Sequence, residues 1–166
     1  CSYAQDEFVS TFSMTYFSIS STKKVIVNEN TKNAITYFIE IESDKPNEKV
    51  YMVLDEKQSK KLKKTLKNIL REYKEWGKKE NKLQEFVYNI PYDLTKVTYF
   101  WNSDNVWYYS KVYEVAPKIC LTKDNGALVV INQKVVAYND ENIEQETYLI
   151  FNCVQEIEMF INAIDH

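Results

Sequence analysis

The residue types that most often carry chemistry are poorly supplied in this chain. It has one histidine, His166, which is the last residue, and terminal residues are seldom held rigidly. A Ser-His-Asp or Cys-His site needs its imidazole fixed within hydrogen-bond reach of the nucleophile, so neither is expected. A histidine zinc site fails for the same reason, and Cys1, Cys120 and Cys153 show no C-x-x-C spacing. Gly77 and Gly126 are the only glycines, which leaves no phosphate-cradling or dinucleotide-binding loop. A pair of carboxylates working as acid and base stays open, because 24 Asp and Glu are present and their pairing in space cannot be read from spacing. A hydrolase of that kind is the enzymatic alternative. The stretch Asn139–Glu146 offers Asp140, Glu141, Asn142, Glu144 and Glu146. It lacks the glycine that a Ca²⁺ loop usually needs for its sharp turn, and it reads as a solvated loop. No cofactor and no metal are expected.

Two surfaces stand out instead. The first is aromatic. Lys96–Trp101 and Val106–Glu114 flank Asn102-Ser103-Asp104-Asn105, a strong hairpin signal. A turn centred on Ser103-Asp104 pairs Trp101 with Val106, Phe100 with Trp107 and Tyr99 with Tyr108. Alternation then puts Val97, Tyr99, Trp101, Val106, Tyr108 and Val112 on one face. Thr98, Phe100, Trp107, Tyr109, Lys111 and Tyr113 fall on the other. A sheet covered by helices on one side shows water a polar second face, whereas here both faces are aromatic. Another part of the chain, a partner or a ligand must cover the second face, and a sheet curled on itself would do so from within. Rings with polar tips suit sugars, peptides or a protein interface. Trp107, Tyr109, Tyr113, Phe100 and Lys111 are therefore the candidate binding residues, for an unknown protein or glycan.

The second surface is cationic. A helix is predicted from Asp55, a plausible N-cap with Gln58 three residues on, through Leu62, Leu66, Ile69, Leu70, Tyr73 and Trp76 at spacings of three and four. Gly77 is its plausible C-cap. The segment Asp55–Lys82 carries eleven basic and five acidic residues, a net +6, which leaves −9 for the rest of a chain whose total is −3. Lys57, Lys60, Lys64, Lys67, Arg71 and Lys74 could dock phosphates or acidic glycans. The competing reading is a solvated face whose lysine stems cover the apolar stripe beneath. Arginine, the usual phosphate reader, occurs there once, so nucleic acid is not the expected partner.

The elements that position these surfaces follow from periodicity. Phe8–Leu54 reads as strands: Thr11–Ser20, Lys24–Asn28, Ala34–Glu42 and Lys49–Leu54, with turns at Asn28-Glu29-Asn30-Thr31 and Ser43–Glu48. After the helix, a connector ends near Pro91. The aromatic hairpin follows, then Lys118–Lys123 and Ala127–Tyr138 around Asp124-Asn125-Gly126. Thr147–Phe151 is the last strand. Asn152 caps a final helix whose apolar face is Val154, Ile157, Phe160, Ile161 and Ile164. The expected class is α+β: antiparallel meanders each followed by a helix (strands, helix, strands, helix), with two helices packed on the sheet. At 166 residues and 45% hydrophobic content, residues 8–166 read as a single domain.

The start of the chain reads as an export or lipidation remnant over residues 1–7. Cys1 would be the lipid-bearing first residue of a processed bacterial lipoprotein. Alternatively, Ser2-Tyr3-Ala4 would end a signal peptide cleaved before Gln5. An arbitrary boundary is the third reading. Either secretory reading places the domain outside the cytoplasm, with a membrane reached only through a lipid on Cys1. An oxidising compartment would allow Cys120 and Cys153 to form a disulfide; buried free thiols are the alternative.

The stretches Tyr73-Lys74-Glu75-Trp76 with Glu80-Asn81-Lys82, and Tyr148-Leu149-Ile150-Phe151-Asn152 running into Val154–Ile164, resemble a family of small secreted bacterial α+β proteins. That family brings no known activity, so the resemblance implies export and fold class and assigns no site residue. The expectation is a non-enzymatic extracytoplasmic binding domain acting through its aromatic hairpin, with polyanion binding by the lysine helix as the alternative.

Overall fold

The computed structural model describes residues 8–16, 19–29, 34–77, 86–89, 94–122 and 126–165, with the side chains of 34–75, 94–119 and 128–165. Among the described residues, eleven strands and two helices follow one another. First come β1 (Phe8–Tyr16), β2 (Ile19–Glu29), β3 (Ile35–Ser43), β4 (Val50–Asp55) and α1 (Glu56–Gly77). After them come β5 (Phe86–Asn89), β6 (Thr95–Ser103), β7 (Val106–Tyr109), β8 (Tyr113–Val115), β9 (Lys118–Thr122), β10 (Gly126–Ala137), β11 (Asp140–Phe151) and α2 (Val154–Ala163). All pairings are antiparallel, and the two helices pack against the sheet, an α+β arrangement.

One sheet holds all eleven strands, with the main order β5-β9-β10-β11-β3-β4-β6-β7. β3 is the branch point. Ile35–Glu40 pair with β2, while Glu42 and Ser43, farther along the same strand, pair with Tyr148 and Thr147 of β11. In the sheet ladder, the first and last thirds of the chain are thus joined through these two residue pairs. The sheet then curls until its far side meets itself. Ser110, just past β7, bridges Ala137 at the end of β10. Tyr138 N–H donates to Tyr109 O at 2.8 Å, and Val136 N–H donates to the Tyr113 hydroxyl at 3.0 Å.

Alternation along the strands directs one face inward. Tyr37, Ile39 and Ile41 of β3 are buried there with Val50, Met52 and Leu54 of β4 and Val97, Tyr99 and Trp101 of β6. The amphipathic face of α1 (Leu62, Leu66, Ile69) and that of α2 (Ile157, Phe160, Ile161) close the core. Phe160 meets Phe151 edge-on at 5.2 Å. The Tyr73 hydroxyl donates to Asn152 O at 3.0 Å, tying α1 to the start of α2.

Several boundaries differ from expectation for local reasons. The expected Lys24–Asn28 strand lies in the second half of an 11-residue β2. A short strand, β5, lies in the expected connector, held on the sheet by β9 rather than by a strong pattern of its own. The acidic stretch read as a loop is the first half of β11: Gln145 and Thr147 point inward, and Glu144 and Glu146 point out. Charge on one side of a hairpin strand mimics a loop when the strand's tip projects into water. At α1, Asp55 Oδ1 accepts the Gln58 N–H at 2.7 Å, the expected cap. The Gln58 side chain does not return to the cap, however; its Oε1 accepts from Lys96 N–H at 3.1 Å and docks the helix on β6. At α2 the N-cap is Cys153, with no side-chain cap, rather than Asn152. Asn152 N–H instead donates to Glu156 Oε2 at 2.7 Å.

Cys153 carries a free thiol. The side chains of Cys120 and Trp76 lie outside the described residues, as do Cys1, Lys78, Lys79, Lys82, Pro91 and His166.

Candidate functional site: an aromatic hairpin edge

The β6–β7 hairpin turns through Asp104 and Asn105, both left-handed at φ 51° and 64°. Asp and Asn tolerate that region better than other residues with a Cβ, and two positive-φ residues make the turn that matches strand twist. The turn therefore lies one residue later than expected. Ser103 pairs with Val106, Asn102 with Trp107, Trp101 with Tyr108 and Phe100 with Tyr109. The expected pairs Trp101–Val106, Phe100–Trp107 and Tyr99–Tyr108 are corrected by two positions. A shift of two keeps the faces, because side chains alternate with period two.

On the outer face, register sets Glu40 beside Tyr51, Tyr51 beside Phe100 and Phe100 beside Tyr109, a row across four strands. Trp107 lies diagonally over Phe100, the rings stacked at 4.7 Å and 13°. Tyr109 stacks on Tyr138 at 5.6 Å and 20°. Partial burial, with the Glu40 carboxylate beside it, raises the Tyr51 hydroxyl above the ordinary tyrosine pKa. The curled sheet covers only its inner face. Trp107 is 53% exposed, Tyr109 54% and Tyr138 68%.

Tyr113 and Lys111 do not join this row. Ser110 N–H donates to Tyr99 O, and the Ser110 hydroxyl accepts the Tyr99 N–H, both at 2.9 Å. Lys111 and Val112 then leave the ladder, and the strand resumes as β8 with Tyr113 opposite Val97. That break carries Tyr113 to the inner side, edge-on to the buried Tyr99 at 6.1 Å. The Lys111 ammonium sits 5.5 Å from the Tyr113 ring centroid. Of the five candidates, the structure brings together Phe100, Trp107 and Tyr109, and sets Tyr113 and Lys111 apart from them.

Two members of the row were missed. Tyr51 carries no signal of its own until β4 is placed beside β6. Tyr138 occupies a turn whose approach to Tyr109 depends on closure of the sheet. At the turn end, Asp44, Lys45, Pro46, Asn47 and Glu48 face Asn102, Asp104 and Asn105 across an open cleft of about 630 Å³. The Glu48 carboxylate is spoken for: it accepts from the Ser103 hydroxyl at 2.6 Å and from the Gln145 amide. Among the described residues no group of three or more acids, cysteines and histidines could hold a metal.

On α1, all six candidate cations are exposed. At 3.6 residues per turn they fall in a sector of about 100° and run about 25 Å along the axis, opposite Leu62, Leu66 and Ile69. Lys60 pairs with Glu56 at 3.4 Å, and Arg71 donates to Asn68 at 3.2 Å. Lys57, Lys64, Lys67 and Lys74 make no ion pair among the described residues. No helix among the described residues is long and apolar enough to cross a membrane.

No protein-family model, no curated protein and no solved structure matches this chain. The geometry alone carries the functional argument.

Proposed function

We propose that this is a non-enzymatic binding domain that engages a protein or glycan partner through the aromatic surface of β6–β7. The observation that carries this reading is the exposure of Trp107 and Tyr109 on the face that neither helix covers. Large exposed apolar side chains are ordinary when scattered and informative when grouped. Seven are exposed among the described residues, and five of them (Val106, Trp107, Tyr109, Val112 and Tyr138) lie on or beside β7. The test compares the wild-type domain with Trp107→Ala and Tyr109→Ala on a panel of immobilised peptides and oligosaccharides. Binding that falls at least about tenfold in both variants, the loss typical of interface anchors, supports the reading; binding that both variants retain at full affinity overturns it.

A second reading is favoured by the single exposed sector of cations on α1. There the domain would hold a linear polyanion, an acidic glycan or a nucleic acid. Heparin retention and its salt dependence decide the matter. Affinity falling steeply between about 50 and 200 mM salt, with a shallower slope in Lys64→Gln/Lys67→Gln, supports it. The absence of retention at low salt rules it out.

A further inference from the structure

The row of rings is only half of what β7 presents. β7 ends the strand order, with β6 on one side and, among the described residues, no strand along the other. Because Ser103 and Val106 flank a two-residue turn, they form a hydrogen-bonded pair, and pairing alternates from there. Val106 and Tyr108 direct their N–H and C=O towards β6. Trp107 and Tyr109 direct theirs outward. Tyr109 O accepts from Tyr138 N–H at 2.8 Å. The Trp107 N–H, the Trp107 C=O and the Tyr109 N–H have no partner among the described residues.

Proteins usually blunt such an edge with lysine, proline, a bulge or a covering loop. β7 itself, Val-Trp-Tyr-Tyr, carries no lysine or proline, the β10–β11 turn reaches it only at Tyr109 among the described residues, and its rim is apolar: Val106 is 49% exposed and Val112 57%. The charges around it are chiefly acidic. Asp104 stands in the turn, and Asp44 and Glu48 line the adjoining cleft. Asp140 and Glu141 follow Tyr138 at the other end and are exposed. Of the nearby cations, the Lys45 ammonium donates to Glu144 O at 2.5 Å and Lys111 lies against Tyr113, while Lys49, next to Glu48, is exposed.

We infer that the occupant is an extended, basic peptide segment of a partner protein, which adds to the sheet along β7. Its backbone would satisfy Trp107 and Tyr109, its apolar side chains would lie against Trp107, Tyr109 and Val106, and its Lys or Arg residues would face the acids at both ends. Main-chain bonds of this kind give affinity, and alternate side chains give specificity. The inference rests on the aromatic-surface reading and narrows it from protein or glycan to peptide.

The probe is a blocked ten-residue peptide in which Lys alternates with Val and Tyr. Amide hydrogen exchange is followed by NMR with and without it. The Trp107 and Tyr109 amides should exchange rapidly in the free domain and slow at least tenfold with peptide. The Val106 and Tyr108 amides, already paired to β6, serve as internal controls and should change little. Methylating the edge-facing amide nitrogens of the peptide, or replacing its Lys with Glu, should weaken binding at least tenfold. The inference is overturned if the Trp107 and Tyr109 amides are unaffected at saturating peptide, or if the methylated peptide binds as well as the parent. It is also overturned if the parent peptide does not bind at millimolar concentration. A β-1,4-linked glucose hexasaccharide is the contrasting ligand. Should it bind in a Trp107-dependent way while the peptide fails, strand addition is lost and the aromatic-surface reading survives. Failure of both ligands to respond to Trp107→Ala removes the two together.

Discussion

The cations of α1 and the outer rings of β6–β7 are both rows of similar residues, and they stand for opposite reasons. On α1 the cations occupy the side that any helix packed on a core gives to water, opposite Leu62, Leu66 and Ile69. The fold requires polar residues there whatever the protein does. On the hairpin, Val97, Tyr99 and Trp101 already supply the core. Trp107 and Tyr109 occupy positions where alternation calls for polar side chains, and they remain about half exposed. A row that packing demands says little about a partner. A row that packing does not need is the better evidence of one.

The sharpest way to break the comparison is to exchange the roles of the two hairpin faces. Trp101 is fully buried, so Trp101→Ala should cost about 3–5 kcal/mol, the range for deleting a large core aromatic. A denaturant titration reads that loss directly, and a cost below about 1 kcal/mol would mean that the inner face is not the core. Alkali tests the same face without mutation. Burial pushes the Tyr99 hydroxyl far above the ordinary tyrosine value. A group whose folded pKa is raised contributes stability that is complete below its unfolded pKa, about 10, and is lost as pH rises towards the folded value. The melting temperature should therefore fall as pH rises above about 10, and Tyr99→Phe should flatten that fall. An unchanged slope in the variant would place the effect elsewhere.

On the outer face the expected cost is smaller. Trp107→Ala removes one stacked pair, worth about 0.5–1.5 kcal/mol, and should leave the domain folded by circular dichroism. A loss as large as that of Trp101→Ala would make Trp107 a structural residue and dissolve the contrast on which its proposed role rests. The smallest effect is expected on α1, where Lys64→Gln/Lys67→Gln should change stability by no more than about 0.5 kcal/mol, as surface substitutions do. A larger change by thermal melting would show that the lysine stems cover the core and are more than a charged surface.

Both helices were legible from their periodic apolar residues, because a 3.6-residue repeat survives in sequence whatever surrounds it. Asp55 was legible as a cap for the same local reason. The hairpin was legible in its faces and wrong in its register, since turn residues constrain the loop to within a residue and only the left-handed pair Asp104-Asn105 settles it. The acidic half of β11 was misread because its outward charges outweigh its inward Gln145 and Thr147, which are polar and yet buried. Tyr113 was misplaced because the ladder breaks after Ser110, where the chain bridges to Ala137, a residue far along the sequence.

What the sequence determined by itself was local: amphipathic helices, strand faces, a cap, the scarcity of catalytic residue types and the presence of aromatics on both sides of one hairpin. The tertiary structure alone decided which of those aromatics face water together. Trp107, Tyr109, Tyr51 and Tyr138 meet because β4 pairs with β6 and because the β10–β11 turn closes on Tyr109. Pairing partners distant in the chain are chosen by the closing of the whole sheet around its core, and no short stretch of residues encodes that choice.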